Sequence, residues 1–204
     1  MRNTVRGALV MAVVGVVLVV VPASAVSQTR LNPAIDRPGV SLGFAGMGNF
    51  VVNQANAPVN GFIDQGGGFG IFVGFRVAPM LALELGYALN IHNPVQDPSG
   101  VTIDALLLHA GTFDLKLIIP TPSNVRPFLQ VGIGVYELAS YADSTNYVTG
   151  VGFQLGGGLD VWLNRGLSIG VRALYHGISF TDNIGTDKPF LSTVSLEGNL
   201  QFHF

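Results

Sequence analysis

The 204-residue sequence has no cysteine, few charged residues and only one long apolar run. Without cysteine the chain can form neither disulfide bonds nor thiolate metal sites, and no residue can carry the lipid of a lipoprotein. Only 11% of the residues are charged, against about 25% in soluble domains. A helical membrane protein needs several apolar runs of about 20 residues, which this sequence lacks. These absences favour a protein that crosses a membrane with β-strands, whose apolar residues occupy every second position.

What the sequence does contain agrees with that interpretation. It is 49% hydrophobic and has 27 glycines, and its mean hydropathy is +0.48. So much glycine is unusual for a helical protein and suits the narrow interior of a small barrel.

The amino terminus has the three parts of a secretory signal. Arg2 and Arg6 form the positive region, residues 7–21 the apolar region, and residues 22–25 a small-residue cleavage site. We expect a signal peptide over 1–25, cleaved after Ala25, and then a flexible periplasmic lead-in over 26–37. Removing the two signal arginines from the ten basic residues leaves eight, against 12 acidic ones, so nothing points to a nucleic-acid partner.

Strict alternation of apolar and polar residues marks the strands. It is clearest over 193–204, where Val194, Leu196, Leu200, Phe202 and Phe204 share one face. The same pattern recurs over 38–51, 67–77, 81–91, 103–119, 125–136, 149–163 and 167–176. This makes eight strands and predicts an all-β fold, an eight-stranded antiparallel up-and-down transmembrane β-barrel over 38–204.

The connections alternate between short and long. Tight turns are predicted at 78–80, 120–124 and 164–166, and longer polar loops at 52–66, 92–102, 139–148 and 177–190. Transmembrane barrels have short periplasmic turns and long outer loops, so we expect these loops outside the cell and both termini in the periplasm. A soluble lipocalin-like barrel would instead line its cavity with the apolar residues.

Nearly all strand charges fall in the rows opposite the apolar ones. They are Arg76, Glu84, Asp114, Lys116, Asp160, Arg172 and Glu197. Facing lipid, an Arg or Lys would cost about 2–4 kcal/mol near the midplane, so we expect these residues in the lumen as an ionic network. Arg76 with Glu84, and Asp160 with Arg172, should flank the first and third turns at matching distance. Eight strands leave an interior just wide enough for side chains, which favours a structural plug over an ion pathway. His109 and Glu137 fall in the lipid-facing rows without an explanation.

Two segments resemble a known family. Residues 126–136 (RPFLQVGIGVY) look like the fifth strand of small outer-membrane barrels, and 156–162 (GGGLDVW) with 167–172 (LSIGVR) resemble their next hairpin. The last strand, with Phe202 and Phe204, resembles the carboxyl-terminal insertion signal of these proteins. The chain thus resembles the OmpA/OmpX-like superfamily, the outer-membrane protein β-barrel domain. The resemblance implies an outer-membrane location, contact with outer-membrane lipid and lipopolysaccharide, and insertion by periplasmic chaperones and the barrel-assembly machinery. We expect no peptidoglycan-binding domain.

Signals for chemistry are weak. His176 and Ser179, followed by Asp182 and Asp187, suggest a lipid A deacylase, but the His-x-Ser spacing of that family is absent. The glycine run 66–70 lacks the Lys-Ser/Thr ending of a phosphate-binding loop, and the four histidines have no ligand spacing. We therefore expect no enzyme, no cofactor and no metal site.

Three functions remain open. The favoured one is a structural or surface-interaction barrel that presents its loops to an external ligand, which the sequence does not identify. The alternative is a narrow OmpW-like conduit for small hydrophobic molecules, which would need an apolar patch in the lumen. Phe72, Tyr136, Trp162 and Leu174 all fall in the inward rows, although packing explains them equally well. A lipid A-modifying enzyme comes last.

Overall fold

The computed structural model describes residues 32, 35–55, 64–93, 105–140, 147–181 and 190–204. The predicted signal peptide, most of the predicted lead-in and the middle of each predicted long loop lie outside these residues. Within them, no helix is long and apolar enough to cross a membrane.

The described chain forms a closed barrel of eight antiparallel strands, each paired with its neighbour in sequence and the first with the last. The strands are β1 (Gly39–Ala55), β2 (Gly66–Ala78), β3 (Leu81–His92), β4 (Leu106–Ile118), β5 (Val125–Ser140), β6 (Tyr147–Asn164), β7 (Leu167–Phe180) and β8 (Phe190–His203). The predicted fold class is confirmed. Several strands reach further toward the long-loop rim than predicted, notably β5 and β7.

Short connections lie at the opposite rim, where both ends of the described barrel also meet. Residues Pro79 and Met80 join β2 to β3, and Arg165 and Gly166 join β6 to β7. The register shifts beside both turns, between Arg76 and Ala78 and between Trp162 and Asn164. Phe204 N donates to Val40 O at 2.9 Å, which closes β8 onto β1 at this rim.

The two faces of the wall differ as the alternation predicts. Outward side chains are apolar and exposed, for example Phe69 at 60%, Ile133 at 67% and Val171 at 59%. The buried inward side chains include most of the charged residues of the strands. An apolar outer band around a polar interior is the arrangement of a transmembrane barrel.

Glycine on the inner face lets large side chains cross the narrow bore. A Cβ at Gly43 would lie 2.1 Å from the Phe72 ring, and one at Gly132 would lie 1.9 Å from Asp114 Oδ1. Phe72 and Asp114 therefore lie directly over the neighbouring backbone. Any larger residue at these two positions would displace them.

Candidate functional site in the barrel lumen

A continuous chain of ion pairs crosses the middle of the lumen. Arg172 on β7 binds Glu197 on β8 (Nε to Oε2, 2.6 Å) and Glu84 on β3 (Nη1 to Oε2, 3.2 Å). Lys116 on β4 binds the other oxygen of Glu84 at 3.3 Å and Asp160 Oδ2 on β6 at 2.8 Å. The five side chains thus connect β8, β7, β3, β4 and β6.

Neighbouring groups complete the coordination of this chain. Lys116 Nζ lies 3.8 Å from the centre of the Phe128 ring, and Arg172 lies 4.9 Å from that of Phe72. Gln201 Nε2 donates to Asp160 Oδ1 at 3.1 Å. Buried ion pairs repay their desolvation only with good geometry and additional hydrogen bonds, and both are present here. The chain is therefore a rigid cross-brace of the barrel.

Asp114 lies in the lumen but outside this chain of ion pairs. Its carboxylate accepts hydrogen bonds from Thr112 Oγ1 at 3.0 Å and from Gln154 Nε2. Among the described residues it has no salt bridge. Neutral donors solvate this carboxylate in place of a cation.

A second ionic cluster, which was not predicted from the sequence, closes the short-turn mouth of the barrel. Arg126 forms a bidentate interaction with Asp36, in which Nε donates to Oδ1 at 2.9 Å and Nη2 to Oδ2 at 3.0 Å. Arg76 Nη2 approaches Asp36 Oδ1 at 3.1 Å, and Arg76 Nη1 donates to Ile35 O at 2.8 Å. We call Asp36, Arg76 and Arg126 the mouth clamp.

The mouth clamp ties the segment before β1 to two turns. Arg76 Nη2 donates to Pro79 O at 2.6 Å, and Arg126 Nη1 donates to Thr121 O at 3.0 Å. Burial opposes ionisation of Asp36, but the hydrogen bond from Arg126, that from the Asn32 amide and the two positive charges hold the pKa of its carboxyl below the ordinary value. Asp36 is therefore ionised at neutral pH.

The residues expected at matching distance from a turn do not lie opposite each other. Arg76 lies opposite Ala82 and Glu84 opposite Gly74, so the two residues are offset by two positions. Arg76 consequently binds Asp36, and Glu84 binds Lys116 and Arg172. Asp160 lies opposite Gly170 rather than Arg172.

The inward position of Arg126 was predictable from the sequence. Arg126 shares the inward parity of Phe128 and Gln130, which are both buried. Asp36 carried no such signal, because it precedes the first strand in a segment predicted to be flexible. Its side chain is nevertheless fully buried.

An apolar cluster lies in the long-loop half of the lumen, beside buried polar side chains such as Asn90, His92 and Thr193. Its members are Leu106, Leu108, Ala110, Tyr136, Leu138, Ile178, Phe180 and Leu191. The four inward residues named for a conduit, Phe72, Tyr136, Trp162 and Leu174, are all buried. Of these only Tyr136 belongs to the cluster.

A small cavity of about 40 Å³ separates the ion-pair chain from the apolar cluster. Its lining includes Asn49, Asn90, Tyr136 and Thr193, each of which has a buried polar atom with no hydrogen-bond partner in the described structure. A space of this size holds only a few water molecules.

The candidate dyad for catalysis is not assembled. His176 faces the lumen, where its Nε2 lies 3.0 Å from Ser195 Oγ, whereas Ser179, three residues further along β7, belongs to the opposite face. Ser195 Oγ in turn donates to Glu197 Oε1 at 2.8 Å. In a hydrolase triad the acid orients the histidine, but here it accepts from the serine. Asp182 and Asp187 lie outside the described residues.

Phe202 and Phe204, predicted as the insertion signal, lie on the outer wall at the short-turn rim and are 40% and 73% exposed. No group of three or more His, Asp or Glu among the described residues is arranged to hold a metal ion.

Comparisons with known proteins support the fold. The family described as outer membrane protein beta-barrel domain matches residues 12–204. The solved structure of Neisserial surface protein A matches with a TM-score of 0.59 at 14% identity, covering 81% of this chain and 96% of that one. OprG from Pseudomonas aeruginosa matches with a TM-score of 0.53 at 15% identity, covering 83% and 99%. At these identities the likeness concerns the fold alone. No curated protein matches the sequence.

Proposed function

Because the chain belongs to the family of outer membrane protein beta-barrel domains, and is thus an outer-membrane protein, we propose that it is a structural, surface-interacting barrel with a closed lumen. Its long connections face the outside of the cell, following the orientation of such barrels. One structural neighbour is named as a surface protein, which agrees with this role.

The observation that supports the proposal is the ion-pair chain across the lumen. Arg172 reaches carboxylates on two other strands, and Lys116 does the same. A solute that passed would have to break several buried ion pairs, and each broken pair would leave an uncompensated charge. The mouth clamp adds a second closure at the periplasmic side.

Conductance in planar bilayers tests the closed lumen. We expect the wild-type barrel to conduct no more than the bare bilayer. The variant Glu84→Ala with Arg172→Ala removes the centre of the chain and should produce discrete openings. Leu85→Ala, on the outer wall of the same strand, is the matched control and should remain silent. Steady conductance from the wild-type protein would contradict the proposal.

A conduit for small hydrophobic molecules is the second candidate, and the apolar cluster in the outer half of the lumen favours it. In that case liposomes containing the barrel should accumulate a small fluorescent hydrophobic solute faster than empty liposomes do. Leu138→Gln, which places a polar group in the cluster, should abolish the difference. Equal accumulation with and without the barrel would leave only the first proposal.

We propose no catalytic role. The inward His176 and the outward Ser179 cannot share a proton across the wall, and the buried Ser195 donates its own proton to Glu197. An unchanged lipid A profile in cells that express His176→Ala in place of the wild-type protein is the expected result.

A further inference from the structure

A group of polar residues interrupts the apolar outer wall on one side of the barrel. Tyr87 on β3 places its Oη 2.6 Å from Nδ1 of His109 on β4. His109 lies opposite Glu137 of β5, which lies opposite Thr149 of β6. We call these four residues the outer polar row. They include both residues for which the sequence offered no explanation.

The position of the outer polar row is specific. His109 and Glu137 each lie three residues from the long-loop end of their strand, the level at which an outer-membrane barrel meets the outer leaflet headgroups. Near the same rim of β2 and β3 the outward residues are Phe69, Leu89 and Ile91, of which the first and third are exposed. A continuous interfacial belt would not leave this sector apolar, so the row is a local feature of the wall.

An apolar groove of about 910 Å³ lies directly below the row. Its lining includes Gly111, Phe113, Val135, Val151 and Phe153. These residues lie further from the long-loop rim than the row residues of the same strands, β4, β5 and β6. Gly111 leaves a gap where its neighbours carry side chains. A polar edge above an apolar groove matches an amphiphile that has its head at the rim and its chain along the wall.

We propose that the outer polar row and the groove bind the lipid A part of lipopolysaccharide. When Tyr87 donates to Nδ1, the neutral His109 ring carries its proton on Nε2 and can donate it to a phosphate oxygen. Glu137 can accept a hydrogen bond from a sugar hydroxyl or amide. The hydroxyl of Thr149 can donate or accept one. Strands lie 4.7–4.9 Å apart, so the row from β4 to β6 spans about 10 Å, which suits a phosphorylated sugar better than a single phosphate.

Native mass spectrometry of the folded full-length barrel tests this site. The protein is incubated in mild detergent with purified lipid A, with phosphatidylethanolamine or with phosphatidylglycerol, and retained lipid is counted. The test variant is His109→Leu with Glu137→Leu, which makes the wall apolar like its neighbours and should fold. The control is Asn53→Leu, an exposed polar residue of β1 on the opposite side of the barrel.

We expect the wild-type protein and Asn53→Leu to retain lipid A. The double variant should retain it about tenfold less, the loss expected for one to two hydrogen bonds. Equal retention by the double variant would overturn the proposal. Retention of phosphatidylethanolamine as strong as that of lipid A would also overturn it, because its ammonium and phosphate could satisfy Glu137 and His109 without the sugar.

Discussion

Replacement of Lys116 by Met measures how much the ion-pair chain stabilises the barrel. Methionine keeps the length of the side chain and its contact with the Phe128 ring but removes the charge that lies between Glu84 and Asp160. Glu84 keeps Arg172, whereas among the described residues Asp160 keeps only the hydrogen bond from Gln201 at 3.1 Å. Removal of one partner from a buried ion pair costs about 3–5 kcal/mol, and we expect a loss in that range.

A double variant separates this charge effect from lost packing. Lys116→Met with Asp160→Asn removes the orphaned carboxylate together with the cation. Replacing both members of a buried ion pair by well-packed hydrophobic residues of similar volume is often neutral or stabilising, and this double variant likewise leaves no unpaired charge at the site. We therefore expect the double variant to recover to within about 1 kcal/mol of the wild-type protein.

Urea unfolding in phospholipid vesicles, followed by tryptophan fluorescence, provides the measurement. Trp162 is the only tryptophan and stacks on His203 with the ring centres 3.8 Å apart, so its emission reports on the short-turn half of the lumen. Leu115→Met on the outer face of β4 is the control and should change stability by less than about 1.5 kcal/mol. If Lys116→Met were as stable as the wild type, or the double variant no better than the single one, the chain of ion pairs would not be the brace that we describe.

Three further predictions concern the ends of the barrel. The folded pKa of Asp36 lies below its ordinary value of 3.8. The mouth clamp should therefore stabilise the fold above pH 3.8 and lose its contribution as the pH falls through the folded pKa. Asp36→Asn should remove this loss of stability at acid pH from the unfolding profile. Arg126→Met should destabilise the barrel by about 3–5 kcal/mol in urea unfolding, and combination with Asp36→Asn should restore part of the loss. Replacement of Phe204 by Asp should reduce the amount of heat-modifiable barrel in outer-membrane fractions. The control Phe75→Tyr, on the outer wall of β2, should not reduce it. Equal insertion of both variants would argue against Phe204 as part of an insertion signal.

Alternation by itself determined the architecture of this protein. A period of two assigns each residue of a strand to one face, so the sequence was enough to predict eight strands, the outward position of Phe69 and Ile133, and the inward position of Lys116 and Arg172. The alternation of short turns and long loops predicted an up-and-down barrel with the short turns at one rim and the long loops at the other. These features are local, because each depends only on residues close together in the chain.

Tertiary structure alone decided which inward charges meet. Parity places Arg76, Glu84 and Arg172 in the lumen but does not specify their height, which depends on the bulges beside the turns and on the stagger between strands. Arg76 pairs with Ala82, two residues from Glu84, and therefore lies nearer the mouth. Asp36 is the clearest case, because a residue outside every strand completes a buried cluster only when the closed barrel brings Arg76 and Arg126 to the same mouth. The partners of a buried charge depend on distances across the bore, and no periodicity in the sequence encodes them.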